Sequence, residues 1–396
     1  MRNLHLPVWL AAPGLPRPRT FVALFTLAVI PRTLLISVLP LEALRYLGGA
    51  QQVSMLYLGV SLVGVWVSLS IPILVHHLRR RWVFSLGALA TVTAAFLFSL
   101  QVFPAFLIGM VLQIFAIASI EITLNLFLMD HVPRNELNRF EPLRVFFAGG
   151  AFVLGPWLGV FLQTRLDHAA PFALTGLGAL TVFAYFWYLR LTENPMVAPM
   201  KKSPPRPLSY LRHFFEQPRL RLAYVLAVGR SGWWSMFFIY APIFAVTSGL
   251  DEETGGAIVS LGSASVFLAP LWARVGQRYG LRRLLMAGYT AGGAITLAVA
   301  LVTGEATLGA AALLLAAFGT GIVDGAGNVP FLRAVHPHER PEMTTVFATY
   351  RDAGNLIPPG VFSALLKVFE LPAVFVAGGA ALLVLATYTR YLPRRL

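Results

Sequence analysis

The chain has no cysteine. That excludes disulfides, thiol nucleophiles and thiolate metal sites, and removes thiol usage as a guide to compartment. Charge is scarce as well. Only 12% of the 396 residues are Asp, Glu, Lys or Arg, and acids are the scarcer kind, 17 against 31 bases. A soluble domain carries about twice that charged fraction. There is no G-x-x-x-x-G-K-[ST] loop, which argues against ATP-driven work by this chain. The eight histidines lie outside the apolar runs, and His336-Pro-His338 lacks a supporting ligand set, so no metal site is expected. No nucleophile, base and orienting residue form a catalytic set, so neither an enzyme nor a cofactor is expected. The N-terminal stretch, with Arg17 and Arg19 among Pro13, Pro16 and Pro18, shows no short apolar region ending in a small-residue cleavage site. It does not read as a removable signal peptide.

What the chain has in excess is apolar sequence: 57% hydrophobic residues and a mean hydropathy of +0.71. About 20 apolar residues span a hydrocarbon core of roughly 30 Å. Twelve runs of that kind are present, at 20–43, 53–75, 83–102, 104–128, 144–163, 171–190, 221–246, 255–273, 284–303, 307–330, 344–366 and 372–392. The expected fold class is an all-α integral membrane protein of twelve transmembrane helices.

The net charge of +14 looks at first like a nucleic-acid signal. Its placement says otherwise. An even number of spans puts both termini on one side, and nearly all Lys and Arg fall there. The exceptions are Arg45, Arg165 and Lys367 on the other side, and Arg32 and Arg230 inside spans. Such asymmetry predicts cytoplasmic termini in an inner (plasma) membrane. No soluble basic face interleaved with aromatics exists, so nucleic acid is not an expected partner.

Two halves repeat. Residues 1–190 and 219–396 each hold six runs, and the Pro-rich stretch 191–218 connects them as a semi-rigid cytoplasmic tether. His213-Phe214-Phe215 in that stretch is expected to begin a short helix on the membrane surface. Arg32 answers to Arg230, Glu121 to Asp324 and Asn125 to Asn328, the last two pairs sharing an offset of 203. Charges inside a bilayer are costly and read as functional by default. Counting from the cytoplasmic ends at 1.5 Å per residue puts the arginines and acids roughly 13 Å deep. An Arg–acid pair is therefore expected between runs 1 and 4, and another between runs 7 and 10. Glu42 is expected to be solvated. Arg144 and Arg351 are assigned to loop carboxylates or lipid phosphates. Trp233, Trp234, Phe237 and Tyr240 follow Arg230 and are candidates for an aromatic wall.

The connecting loops repeat too. After run 2 the chain carries His76, Arg79, Arg80 and Arg81, and after run 8 it carries Gln277, Gly280, Arg282 and Arg283. In these loops, and in its two six-span halves, the chain resembles the major facilitator superfamily. That family's loop signature, G-x-L-x-D-R-x-G-R-R, keeps its basic residues here at Arg80 and Arg81. His76 stands in place of the Asp and Arg79 in place of the Gly. The second copy keeps Gly280, Arg282 and Arg283, with Gln277 for the Asp. The Asp normally helps latch the halves, so the resemblance implies an altered latch. Gly155-Pro156-Trp157-Leu158-Gly159 looks like the G-P-x-x-G-G core common in the family's antiporters. Gly354 and Pro358-Pro359-Gly360 occupy the equivalent place in run 11. A close-packing and bending role for these residues stands equally open.

The resemblance implies that runs 1, 4, 7 and 10 line a central cavity and that two bundles rock about it. The expected function is secondary transport of a small organic solute, anionic in the leading reading, with proton coupling or exchange. Substrate contacts fall to Arg32, Arg230, Asn125, Asn328, Trp233 and Tyr240, and proton coupling to Glu121 and Asp324. Conformational gating falls to the loop residues and to Gly155 and Pro156. The arginine pair is similar to that of the family's glycerol-3-phosphate/phosphate antiporters, although the rest of the chain is not. Efflux of amphipathic compounds, and a facilitator-like assembly factor or sensor that transports nothing, stay open beside it. The expected partners are substrate, protons or a counter-solute and membrane lipid, with the chain a monomer.

Overall fold

The computed structural model describes residues 18–131, 134–189, 210–336 and 339–392. Helix dominates, and no strand occurs among the described residues. Five helices of the first half match runs 1 to 4 and 6: α1 (Pro18–Leu47), α2 (Ala50–Leu78), α3 (Arg80–Ser99), α4 (Phe103–His131) and α6 (Ala170–Tyr188). The fifth run lies in α5 (Arg134–Arg165), which starts well before it. A short helix α7 (Leu211–Glu216) then precedes α8 (Pro218–Thr247), the seventh run.

The second half is more broken. Run 8 is split into α9 (Glu252–Ser263), a 3-10 turn and α10 (Ala269–Tyr279), with Pro270 at the start of α10. Run 9 is α11 (Leu281–Leu301). Run 10 is α12 (Ala306–Asp324) followed by α13 (Val329–Ala334). Run 11 is α14 (Arg340–Ala348) and α15 (Tyr350–Leu365), and run 12 is α16 (Pro372–Tyr388).

Among the described residues, eleven helical segments are long and apolar enough to cross a membrane, one fewer than the twelve runs. The shortfall is run 11. Its helix is interrupted at Thr349, and α15 is only 16 residues long, about 24 Å at 1.5 Å per residue. Large apolar side chains such as Trp66, Phe96, Leu154 and Leu315 stand exposed on the outside of the helices. A soluble monomer does not leave so many exposed, whereas lipid covers them at no cost.

Small residues set the tightest helix pairs. A Cβ on Gly87 would lie 2.9 Å from the Ser119 side chain, so α3 lies directly on α4. In the second half a Cβ on Gly288 would meet the Val323 backbone at 3.1 Å, and α11 lies on α12 in the same way. The two glycines are 201 positions apart, so the repeat in sequence is a repeat in packing. The α2–α3 and α10–α11 turns match as well. Arg79 has φ 64° and ψ 150°, and Gly280 has φ 95° and ψ 140°. Glycine adopts that backbone without strain and arginine does not.

Helices α1–α6 pack among themselves, as do α8–α16, and the two sets meet along α5–α9, α2–α15 and α1–α8. The expected surface helix at 213–215 exists as α7, but it is docked on protein. Phe214 is fully buried in a cluster with Phe331 and Phe347. His213 and Gln217 both reach the Glu339 carboxylate, at 3.0 and 3.1 Å. Residues 191–209 of the expected tether lie outside the described residues.

Candidate functional site

On α1, Pro31 immediately precedes Arg32. From there Arg32 Nη1 donates to Glu121 Oε2 on α4 at 3.2 Å, and the guanidinium lies 5.5 Å from the centre of the Phe152 ring. The other carboxylate oxygen is taken from the opposite half. Arg351 Nη1, in the first turn of α15, donates to Glu121 Oε1 at 2.5 Å. Arg351 is thus bound to a carboxylate inside the bundle rather than to a loop acid or lipid phosphate. The break at Thr349 lets α15 begin at the depth of Glu121.

In the second half, Arg230 Nη2 donates to Asn328 Oδ1 at 3.1 Å, while Arg230 Nε lies 3.8 Å from Asp324 Oδ1. The other Asp324 oxygen accepts Trp234 Nε1 at 3.0 Å. Four residues past Asp324, Asn328 would share its face in a continuous helix. The helix instead stops at Asp324, and Gly325 to Asn328 form a turn with Gly327 at φ 51°. Trp272 packs so closely on Gly325 that a side chain there would collide with the α10 backbone. In the first half α4 runs unbroken past Glu121 and Asn125, and Asn125 has no hydrogen-bond partner among the described residues.

Tyr350 joins the two sets. The Arg230 and Arg351 guanidinium carbons each lie 5.9 Å from its ring centre, and Arg351 Nε lies 3.3 Å from its hydroxyl. A continuous polar chain therefore crosses the molecule: Arg32, Glu121, Arg351, Tyr350, Arg230, then Asp324 and Asn328. Two members, Arg351 and Tyr350, were not singled out from sequence as site residues. The signal was present, since Arg351 and Asp352 are the only charges in run 11.

The aromatic candidates divide. Trp234 joins Asp324, but Trp233 points into the second-half core, where its indole donates to Thr296 at 2.9 Å. Adjacent residues on a helix cannot share a face. Tyr240 is fully buried, with its hydroxyl 2.6 Å from Ser54 Oγ on α2 and its ring edge-on to Phe362. It sits in the seal between the halves, not on an open vestibule.

That seal lies at the face opposite the termini. Arg45 at the end of α1 binds Glu42 and reaches across to Glu252 of α9. Arg165 at the end of α5 pairs with Glu253 at 2.5 Å. Glu42, expected to be solvated, is only 3% exposed and also receives Gln163 Nε2 at 2.7 Å and His168 Nε2 at 3.2 Å. Arg351, by contrast, keeps more than half of its side chain exposed.

A comparison with protein families matches residues 21–359 to the Major Facilitator Superfamily. The chain belongs to the major facilitator superfamily. Among solved structures it is similar to the nucleoside transporter NupG, with a TM-score of 0.73 and 16% identity over 94% of this chain and 98% of that one. It is similar as well to a POT family transporter in complex with a thioalcohol-conjugated peptide, with a TM-score of 0.75 and 13% identity over 93% and 95%. No curated protein sequence matches the chain. The protein is a multi-pass membrane protein and a secondary transporter, not an enzyme.

As a facilitator it carries its G-P-x-x-G motif at a crowded crossing. A Cβ on Gly155 would lie 2.8 Å from the Thr33 backbone, and one on Gly159 would run into the Leu34 carbonyl. Gly354 lies against Ser231 and Gly232 in the equivalent place. The motif also faces the other half: Trp157 N donates to Ser260 Oγ on α9 at 2.9 Å, and Gly256 abuts Pro156. The loop residues sit at the terminal face. His76 and His77 form an edge-on pair on the last turn of α2, and the Arg81 guanidinium lies 5.8 Å from the Trp82 ring. Gln277 lies on the last turns of α10, Gly280 makes the turn, and Arg282 and Arg283 open α11.

Proposed function

We propose that this facilitator carries a small organic anion across the inner (plasma) membrane, with both termini cytoplasmic, coupled to a proton or a counter-solute. Bundles 1–190 and 219–396 rock about the polar chain. The observation that carries this reading is the sharing of Glu121 by Arg32 of its own half and Arg351 of the other. A carboxylate held by two guanidinium groups gives up both when it is protonated. The freed planar forks suit the carboxylate or phosphate of a substrate. Substrate and proton then compete for one set of partners, and the ties between the halves change with that competition. Arg230, Asp324 and Asn328 offer a second, weaker copy, since Arg230 and Asp324 are 3.8 Å apart.

Purified protein in proteoliposomes tests this. An imposed proton gradient drives uptake of an anion from a panel of organic carboxylates and phosphates, and Glu121→Gln abolishes that uptake while retaining solute counterflow. Full gradient-driven uptake by Glu121→Gln would overturn the carboxylate's role. Thermal stabilisation by organic cations alone, unchanged in Arg32→Ala, would overturn the anion class.

A further inference from the structure

Behind the Arg32–Glu121 pair, inside the first bundle, lies a chamber of about 60 Å³. Its walls come from α1, α3, α4, α5 and α6, and its polar lining is Arg32, Thr91, Gln113, Glu121 and Arg144. The second bundle has a counterpart beside Arg230 of only about 10 Å³, with Tyr289 among its walls and the tyrosine hydroxyl donating to the Leu226 carbonyl at 2.6 Å. A site of one probe sphere, about 10–15 Å³, is the least that holds a water, so the first chamber has room for roughly four and the second for one at most.

Two buried polar atoms at the first chamber have no partner among the described residues. One is Arg32 Nε, a donor, and the other is Gln113 Oε1, an acceptor on a residue only 5% exposed. Thr91 spends its hydroxyl on the Gly87 carbonyl at 3.1 Å. A buried polar group left without a hydrogen bond keeps the cost of its lost hydration. The repeat shows that the fold does not require the glutamine. Ala316 lies 203 positions on, the offset that relates Glu121 to Asp324, and it is fully buried apolar packing. Gln113 and Glu121, eight residues apart on α4, line the chamber together. An anion would satisfy Arg32 Nε and leave Gln113 Oε1 facing like charge. Water satisfies both, accepting from one and donating to the other.

The geometry points to a water-filled proton entry to Glu121 within the first bundle, separate from the central cavity and organised by Gln113. It rests on the proton-coupling reading above. An excess proton from solvent reaches the chamber water as hydronium, which breaks one O–H bond, forms the O–H bond of the Glu121 carboxyl and leaves neutral water. The charged groups facing that carboxylate are Arg32 from α1, Arg144 from α5, and Arg351 with Asp352 from α15; those lining the chamber contribute no second acid. Proton supply and substrate binding are thereby divided between two sides of one carboxylate.

Hydroxyl-radical footprinting of the full chain reports water beside buried side chains. Phe25 and Leu124, 4% and 1% exposed, line the first chamber, while Phe331 and Phe347 line its smaller counterpart. Phe25 and Leu124 label well above Phe331 and Phe347 in the wild type and fall to their level in Gln113→Leu. In proteoliposomes Gln113→Leu loses about ten-fold or more of gradient-driven uptake, with solute counterflow unchanged. Equal labelling of the four residues in the wild type, or labelling that persists in Gln113→Leu, overturns the chamber. Lost labelling with unchanged gradient-driven uptake overturns its role as a proton entry. A wild type without gradient-driven uptake sinks the coupling reading and the entry role with it, which labelling lost only in Gln113→Leu distinguishes from failure of the chamber. Gln113→Asn, which keeps the amide, serves as the folded control and retains labelling.

Discussion

Arg351 on α15 donates to Glu121 on α4 at 2.5 Å, and so ties the two halves of the molecule together through one carboxylate. The same carboxylate receives Arg32 from its own half. Glu121 therefore belongs to both bundles at once, and any event that removes its charge loosens a joint between them.

Replacing Arg351 separates the two roles of that carboxylate. Arg351→Ala leaves the Arg32–Glu121 pair in place but removes the tie between halves. The chain has no cysteine, so a single introduced thiol reads out conformation cleanly. With Ser54→Cys as the reporter beneath the seal, Arg351→Ala raises thiol labelling from the face opposite the termini several-fold. Unchanged labelling would show that the tie holds nothing shut.

The ion pairs across that face act in the same sense, holding it shut. Arg45–Glu252 and Arg165–Glu253 are partly exposed, so each holds the face only weakly. Glu252→Gln combined with Glu253→Gln therefore shifts the equilibrium toward opening by a few-fold, read by the same Ser54→Cys reporter. High salt gives a smaller shift in the same direction, because screening weakens exposed pairs. A decrease in labelling would contradict a latch.

Arg79 offers a gain. It holds a backbone conformation that is glycine's at the matching Gly280, and a non-glycine residue there costs on the order of 1–3 kcal/mol. Arg79→Gly raises the melting temperature of the detergent-solubilised protein, and Gly280→Ala lowers it. An unstable Arg79→Gly would mean that the arginine side chain contributes more than its backbone costs.

Asp251 caps α9 at the sealed face, accepting from the hydroxyl and the backbone N–H of Thr254. The Thr254 hydroxyl bond holds its carboxyl below the usual carboxylate range. A depressed pKa stabilises the fold above the ordinary value near 4, and that contribution fades as pH falls through the lower folded value. Asp251→Ala costs about 1 kcal/mol near neutral pH. The gap from wild type narrows below about pH 4, whereas Asp251→Asn stays close to wild type throughout. Thermal unfolding followed across pH 3–7 checks both.

The membrane class, the two-fold repeat and four of the charged site residues were legible in sequence, because hydropathy and spacing are local properties of the chain. Charges repeated about 200 positions apart inside apolar runs needed no coordinates to stand out. Arg351 carried the same signal, but a charge near the start of a run looks like a loop residue until the helix break at Thr349 is seen. Glu42 misled for a related reason. Its position at the end of a span suggested water, and only the folded molecule brings Arg45, Gln163 and His168 around it.

Sequence alone determined that this protein crosses a membrane many times, with an arginine and an acid inside the apolar runs of each half of the sequence. Tertiary structure decided how those charges are shared. Arg32 and Glu121 pair closely on two unbroken helices, while Asn328 is re-aimed at Arg230 by the turn that ends α12. Glu121 reaches across to Arg351 because α15 begins at its depth. Which partner a carboxylate takes depends on distances of a few ångströms between separate helices, and no periodicity within one helix encodes them.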